Sequence, residues 1–262
     1  MSLNKYLMAE MTWPELKQAV GEGRIAVLPA GIIEQHGPHL PLDTDILLAD
    51  TFCRRAGALV ADKVVVVPPI VHGHSPHHMD FPGTLTVDPI HMVYYVLDVT
   101  LSLAYHGFTK IIIVNGHGSN VPVLDLVARQ TIIKTEGKVA CASIFYHQSE
   151  EYERASKELF PEVPHMEHGD VIETSLYMGI RPDLVDLSLA EDEPQTDVMD
   201  VGTAKLPLRL HFSSFAKTGI YGRVKTSSAE KGEQLVNAVV AGLARIFADF
   251  HAKHIPTRVD HH

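Results

Sequence analysis

Cysteine is nearly missing from this sequence. Cys53 and Cys141 are its only two and lie far apart, so neither a disulfide framework nor a thiolate zinc site is indicated. Any metal must then be held by imidazole and carboxylate. Positive charge is also scarce: 22 Lys and Arg against 32 Asp and Glu leave a formal charge of -10, no field to attract nucleic acid or an anionic membrane surface. A small-molecule substrate is the expected partner. No apolar run approaches the roughly 20 residues of a membrane helix, and the opening MSLNKYLMAEMTWPEL has no signal-peptide apolar region; a cytoplasmic protein is expected. There is no G-x-G-x-x-G, Walker loop or G-x-S-x-G elbow, which removes the usual nucleotide and serine-hydrolase readings. Repeats and linkers rich in Gly, Ser or Pro are missing too, so residues 1–262 read as one domain.

What the chain has instead is histidine, 17 of them, placed with respect to a strand–helix alternation. Apolar β-branched runs at 24–30, 63–70, 110–116 and 138–145 read as strands buried on both faces. Helical patterns occupy 45–62, 88–108 and 120–137, a short one 169–180, and a long one 229–254. The alternation predicts an α/β fold with a mainly parallel sheet covered on both sides. Residues 181–227 have weak periodicity and read as long loops or a flap. In such a sheet the carboxyl ends of the strands form the ligand crevice. Glu34 and His36 follow the first strand, His72, His74, His77 and His78 the second, and Asn115 and His117 the third. Three strand ends thus deliver imidazole or carboxylate to one edge.

In GIIEQHGPHLPLDTD (31–45), Glu34 and His36 are two apart on an extended segment and project the same way, while Gly37, Pro38 and Pro41 can turn the chain so that Asp45 returns at the next helix. Asp45 has a second reading, as a cap of that helix. VNGHGSN sets His117 between glycines after a fully apolar strand, where the backbone can approach a ligand closely. HMEHGDVIETS offers His168 and Glu173 around a helix start; a cap neighbour and a surface residue are the alternatives. Ser75, His78, Gly118 and Ser119, in the loops beside these residues, are candidate substrate contacts. His91 and His106 fall in a helical pattern and read as ordinary surface or core residues.

These motifs, with GHSPHHMDFPGT, occur in the order that closely resembles the creatininase (creatinine amidohydrolase) family, over about residues 24–180. The resemblance implies a three-layer α/β/α sandwich, often assembled as a homohexamer, with two divalent metal ions per subunit of zinc, manganese or iron type. Carried over by position, Glu34 and His117 bind one metal, His36 the other, and Asp45 bridges both. His168 matches the position of a proton shuttle. Creatininase proper has a glutamate where this chain has Ser119, so Glu173 is assigned to the second metal, and a branch other than creatininase proper is implied.

Paired cations lower the pKa of a shared water and polarise a carbonyl, so no side-chain nucleophile is needed. The expected activity is a metal-dependent amidohydrolase acting on the C–N bond of a small cyclic amide or formamide. Alternatives within the resemblance are cleavage of a carbon–carbon bond in a cyclic sugar ketone or of a modified peptide. A non-catalytic metal-binding assembly protein is the alternative outside enzymes. A phosphoesterase is disfavoured, because no Arg or Lys lies in the four motifs to hold a phosphate.

Overall fold

Successive apolar residues in a strand can only be accommodated by a sheet covered on both faces, and the four runs behave accordingly. The computed structural model describes residues 4–193, 210–259 and 261–262. β1 (Ile25–Ala30) is buried at every position and β3 (Lys110–Asn115) at all but its first. With β2 (Val64–Val66) and β4 (Ala140–Phe145) they form a parallel sheet in the order β2-β1-β3-β4. Register sets Ile25 opposite Val64, Ala26 opposite Ile111 and Lys110 opposite Ala140.

Alternation then divides the core in two. Ile25, Val27, Val64, Val66, Ile112 and Val114 point to one side, where they pack with α2 (Thr44–Leu59), α5 (Glu150–Leu159), α6 (Val171–Met178) and α7 (Ala229–Ala252). Ala26, Leu28, Ala30, Val65, Ile111 and Ile113 point to the other, against α1 (Trp13–Gly21), α3 (Pro89–Tyr105) and α4 (Val121–Lys134). The expected parallel α/β sandwich is the fold observed.

Several boundaries differ from expectation for local reasons. The second strand's ladder stops at Val66 because Pro68 and Pro69 have no N–H to donate. Even so, Val67 N and Ile70 N donate to Val27 O and Pro29 O at 2.8 and 2.9 Å, so the chain keeps its course beside β1. α3 and α4 end before Gly107 and Gly137, whose φ values of 101° and 80° suit glycine. Two helices had no counterpart in the sequence reading. α1 begins at a capping box of Thr12 and Glu15 with Pro14 in its first turn. α5 starts at Ser149, whose hydroxyl accepts from Tyr152 N, and turns Tyr152, Ala155 and Leu159, spaced i, i+3, i+7, toward the core, an amphipathic pattern short enough to be overlooked among its charged residues. Of 181–227, residues 194–209 lie outside the described residues, and the remainder holds only 3-10 turns and isolated bridges, in line with a loop segment.

α6 is pressed onto α7 at glycine. A Cβ on Gly232 would lie 1.7 Å from Ser175 O, and one on Gly179 2.6 Å from Glu233 N. No rotamer relieves a clash of Cβ with backbone, so the two helices must separate if either glycine gains a side chain. Gly232→Ala is expected to lower stability by about 1–3 kcal/mol, measured as a lower urea midpoint at unchanged m-value; an unchanged midpoint would contradict the close contact.

Candidate metal centre

Two glycines seat the first turn of α2 directly on the sheet edge. A Cβ on Gly31, just past β1, would stand 2.7 Å from Ile46 N, and one on Gly116, just past β3, 2.4 Å from Asp45 O. That seating delivers Asp45 between the two central strands. Its carboxylate is not used as a cap: Asp45 Oδ1 faces His36 Nε2 at 3.3 Å and Oδ2 faces His117 Nδ1 at 3.1 Å. Asp43, the residue before the helix, makes no side-chain cap bond either, and instead accepts from the Tyr177 hydroxyl at 2.9 Å.

Each partner is held from behind. The His36 ring donates from Nδ1 to Glu34 O at 3.0 Å, which turns Nε2 toward Asp45 and, at 3.6 Å, Glu173 Oε2. The loop carrying His117 is clasped by Asn115, which accepts from His117 N at 3.0 Å and donates to His117 O at 2.6 Å. Glu34 presents Oε2 to His117 Nδ1 at 3.2 Å, while Oε1 accepts the Ser75 hydroxyl. Glu173 is no surface residue: it is buried, and Gly169 N donates to its Oε2 at 2.7 Å. The cap of α6 is Asp170, which accepts from Ile172 N and Glu173 N, so His168 lies outside the cap. His168 donates from Nε2 to Gln35 O at 2.7 Å, leaving Nδ1 3.9 Å from Glu34 Oε2.

The potential ligand atoms fall into overlapping triads, each with all atoms within 4.8 Å: Glu34, Asp45 and His117; His36, Asp45 and Glu173; and Glu34, His36 and His168. The first two share Asp45. Burial disfavours charge on Glu34 and Asp45, yet the imidazoles of His117 and His36 respectively hold both carboxyls below their ordinary range. Burial pushes Glu173 up to about 8. Burial would also lower His36, but the carboxylates of Glu173 and Asp45 outweigh it and raise the imidazole to about 10. The cluster therefore demands positive charge, and without a cation only protons on histidine supply it. Glu34 Oε2, His36 Nε2 and Asp45 Oδ2 are buried with no hydrogen-bond partner among the described residues. Such orphaned atoms, converging from three oxygen and nitrogen donors, suit divalent cations.

Residues 9–247 of the chain match the family model described as Creatininase: Creatinine amidohydrolase. The chain belongs to the creatininase family. It is 31% identical over 257 residues to creatinine amidohydrolase of Pseudomonas putida, covering 90% of this chain and 94% of the relative. It is 30% identical over 236 residues to the mycofactocin precursor peptide peptidase of Mycolicibacterium smegmatis, covering 84% of this chain and 83% of that protein. A solved structure, "Creatininase Mn", superimposes with a TM-score of 0.80 at 28% identity, covering 94% of this chain and 98% of that one. These relatives make the protein a creatininase-family hydrolase.

The remaining histidines separate cleanly. His78 is buried beside His168, ring centres 4.4 Å apart. His74 turns away to donate to Val87 O at 3.0 Å, and His72, His91 and His106 are exposed. Ser119 faces His77 Nε2 at 3.4 Å, and Gly118 is exposed with open space around it. Gln35 and Phe212 also belong to the site, though the sequence reading had not singled them out. Gln35 contacts both His78 and His168, and the Phe212 ring stacks on His78 at 4.1 Å and meets His168 edge-on at 4.9 Å. Gln35 carried a signal only in lying between two ligand candidates; Phe212, in an aperiodic segment, carried none.

Asn120 ties the three strand-end loops together. It is fully buried, accepting from His74 N at 2.9 Å and donating to Gly31 O at 3.3 Å. Asn120→Ala leaves both groups without their partner, at about 1–3 kcal/mol. Its expected outcome is a lower melting temperature with accelerated hydrogen exchange at the His74 amide; full protection of that amide in the variant would count against the tie.

Proposed function

We propose that the protein is a binuclear metal-dependent amidohydrolase that cleaves the C–N bond of a small polar cyclic amide or formamide. The observation that carries this reading is the division of the Asp45 carboxylate, one oxygen toward each of two buried donor triads. Glu34 and His117 would hold one ion, His36 and Glu173 the other, and Asp45 both. Divalent ions of zinc, manganese or iron type would make a water nucleophilic near neutral pH and draw electrons from the substrate carbonyl.

The chain's own groups supply the rest. His168, with its Nε2 hydrogen committed to Gln35 O, offers Nδ1 as the atom that takes the proton lost by the attacking water and passes it to the leaving nitrogen. Ser75 braces Glu34 from the side away from His117, a role that positions the carboxylate. His78, Gly118 and Ser119 line the surrounding loops as the groups that meet the substrate, whereas Ser75, expected there too, is fully buried with its hydroxyl on Glu34. Phe212 closes the site over His78 and His168, which favours a small substrate over a long peptide. The amidohydrolase and the peptidase, each at least 30% identical, bear names that denote hydrolysis of a C–N bond, whereas the 3-dehydro-scyllo-inosose hydrolase of Thermotoga maritima is 24% identical; the higher identities support the C–N bond. Exposed Ile90, Tyr94, Leu126 and Ile133 on α3 and α4 support a homo-oligomer, with the hexamer as the family expectation.

Metal content per chain tests the centre directly. Wild type is expected to hold about two ions, and Glu173→Ala about one; a wild type that takes up no more than one after incubation with manganese or zinc would overturn the two-metal reading. His168→Gln is expected to keep its metal while turnover of cyclic amides and formamides falls roughly 10²–10⁴-fold. Metal loss in that variant would instead make His168 a ligand.

A further inference from the structure

His78 comes from the histidine-rich loop after β2, and its role is decided by a neutral side chain. Gln35 is buried between the two ligand candidates Glu34 and His36. Its amide oxygen accepts from Gly37 N at 2.9 Å. The amide nitrogen therefore faces the other way, where it meets Gly219 O at 3.0 Å, His78 Nδ1 at 2.7 Å and His168 Nε2 at 3.0 Å. An amide nitrogen has two hydrogens and no acceptor capacity. His168 Nε2 already spends its hydrogen on Gln35 O at 2.7 Å, so it cannot also accept. The two amide hydrogens go to Gly219 O and His78 Nδ1.

The orientation of the amide is enforced as well as satisfied. Gly219 has φ of 83°, and a Cβ there would lie 2.0 Å from Gln35 Oε1, so glycine leaves the amide its space. A flipped amide would set its oxygen against the carbonyl of Gly219 and its nitrogen against the Gly37 N–H, losing both bonds. With Nδ1 accepting, the hydrogen of neutral His78 sits on Nε2. That atom points toward Glu34 Oε1 from 3.8 Å, too far for a hydrogen bond, and Glu34 Oε1 is already engaged by Ser75. The N–H thus remains available at the edge of the metal cluster.

We propose that Gln35 holds His78 and His168 in opposite tautomers, so that His78 presents a hydrogen at Nε2 to the substrate's carbonyl oxygen while His168 presents a lone pair at Nδ1. This rests on the hydrolase reading for its substrate, and not for the tautomers. His78 then adds a neutral donor where negative charge develops on the oxygen during attack, and Phe212, stacked on its ring, keeps it in place. Gln35 is a positioning residue that acts through both rings. A substrate with a carbonyl oxygen and a protonatable leaving nitrogen uses both; one without a carbonyl leaves the Nε2 hydrogen unpaired.

The test is nitrogen-15 NMR of histidine-labelled, zinc-loaded protein, with His78→Phe identifying the His78 signals and acetate as a carboxylate probe. In wild type the hydrogen of His78 is expected on Nε2. Gln35→Glu replaces the amide donor by an acceptor of the same shape and is expected to move that hydrogen to Nδ1. Acetate affinity is expected to fall about tenfold in His78→Phe, as for loss of a hydrogen bond to a charged group. A wild-type His78 with its hydrogen on Nδ1, a Gln35→Glu spectrum unchanged from wild type, or undiminished acetate binding by His78→Phe would overturn the proposal. Should Gln35→Glu not fold, the wild-type spectrum and the His78→Phe titration still decide it. Zinc content measured on the same samples separates the two readings, because a wild type without zinc refutes the two-metal centre while its histidine spectrum still reports the tautomers.

Discussion

Three carboxylates, Glu34, Asp45 and Glu173, are gathered in one buried pocket, and among the described residues no lysine or arginine is their ion-pair partner. Taking even one ionised carboxylate out of water is costly unless it is paired, so the pocket is stable only with positive charge inside it. Histidines provide the local answer: His36 and His117 are both pushed above their ordinary range by those carboxylates. A divalent cation would take the place of those protons, and the same donors would then serve as ligands. The requirement for charge in the pocket explains why the nearby loops contain imidazoles and amides where a solvated loop would carry lysine.

The rest of the fold makes that crowding possible. A parallel sheet aligns the ends of β1 and β3, so Glu34, His36 and His117 arrive at one edge without any long loop. Glycines at those ends let α2 bring Asp45 in by its first turn. Glu173 reaches the same point from the opposite side, on α6, whose position is set by glycine contact with α7. The pocket is thus assembled from elements distant in sequence, each fixed by backbone contacts that do not depend on the charged groups themselves. Such independence matters, because mutually repelling carboxylates cannot organise their own approach.

That division also accounts for what could be read from the residues alone. Glu34, His36, Asp45 and His117 were legible because each lies next to a strongly patterned element, a fully apolar strand or the helix that follows it. His168 and Glu173 were visible as candidates, but ligand and surface readings stayed open until the helix start was placed, since one residue of phase decides whether Glu173 is buried. The cap reading of Asp45 gave way only once its two oxygens were seen facing different imidazoles. α5 carried a helical signal in Tyr152, Ala155 and Leu159, but over only ten residues, most of them charged or polar. Phe212 and Gly219 were hidden by the weak periodicity of their segment. Gln35 was hidden for another reason: its partners His78, His168 and Gly219 lie 43, 133 and 184 positions away, and hydrogen bonds at such separations leave no local pattern.

A neutral amide at position 35 also fits the charge constraint. Lysine or arginine there could donate to the same histidine, but a fixed cation beside Glu34 would satisfy part of the charge demand permanently and repel a metal ion. Aspartate or glutamate would deepen the excess of negative charge and invert the donor pattern at His78. An amide carries directional donors and an acceptor without net charge, so it can order the rings of His78 and His168 while leaving the electrostatics of the cluster to its ligands. Ordering and charge are thereby separated: the carboxylates and His36 and His117 set how much positive charge the pocket wants, and Gln35, backed by Gly37 and Gly219, sets which face of each remaining imidazole donates and which accepts.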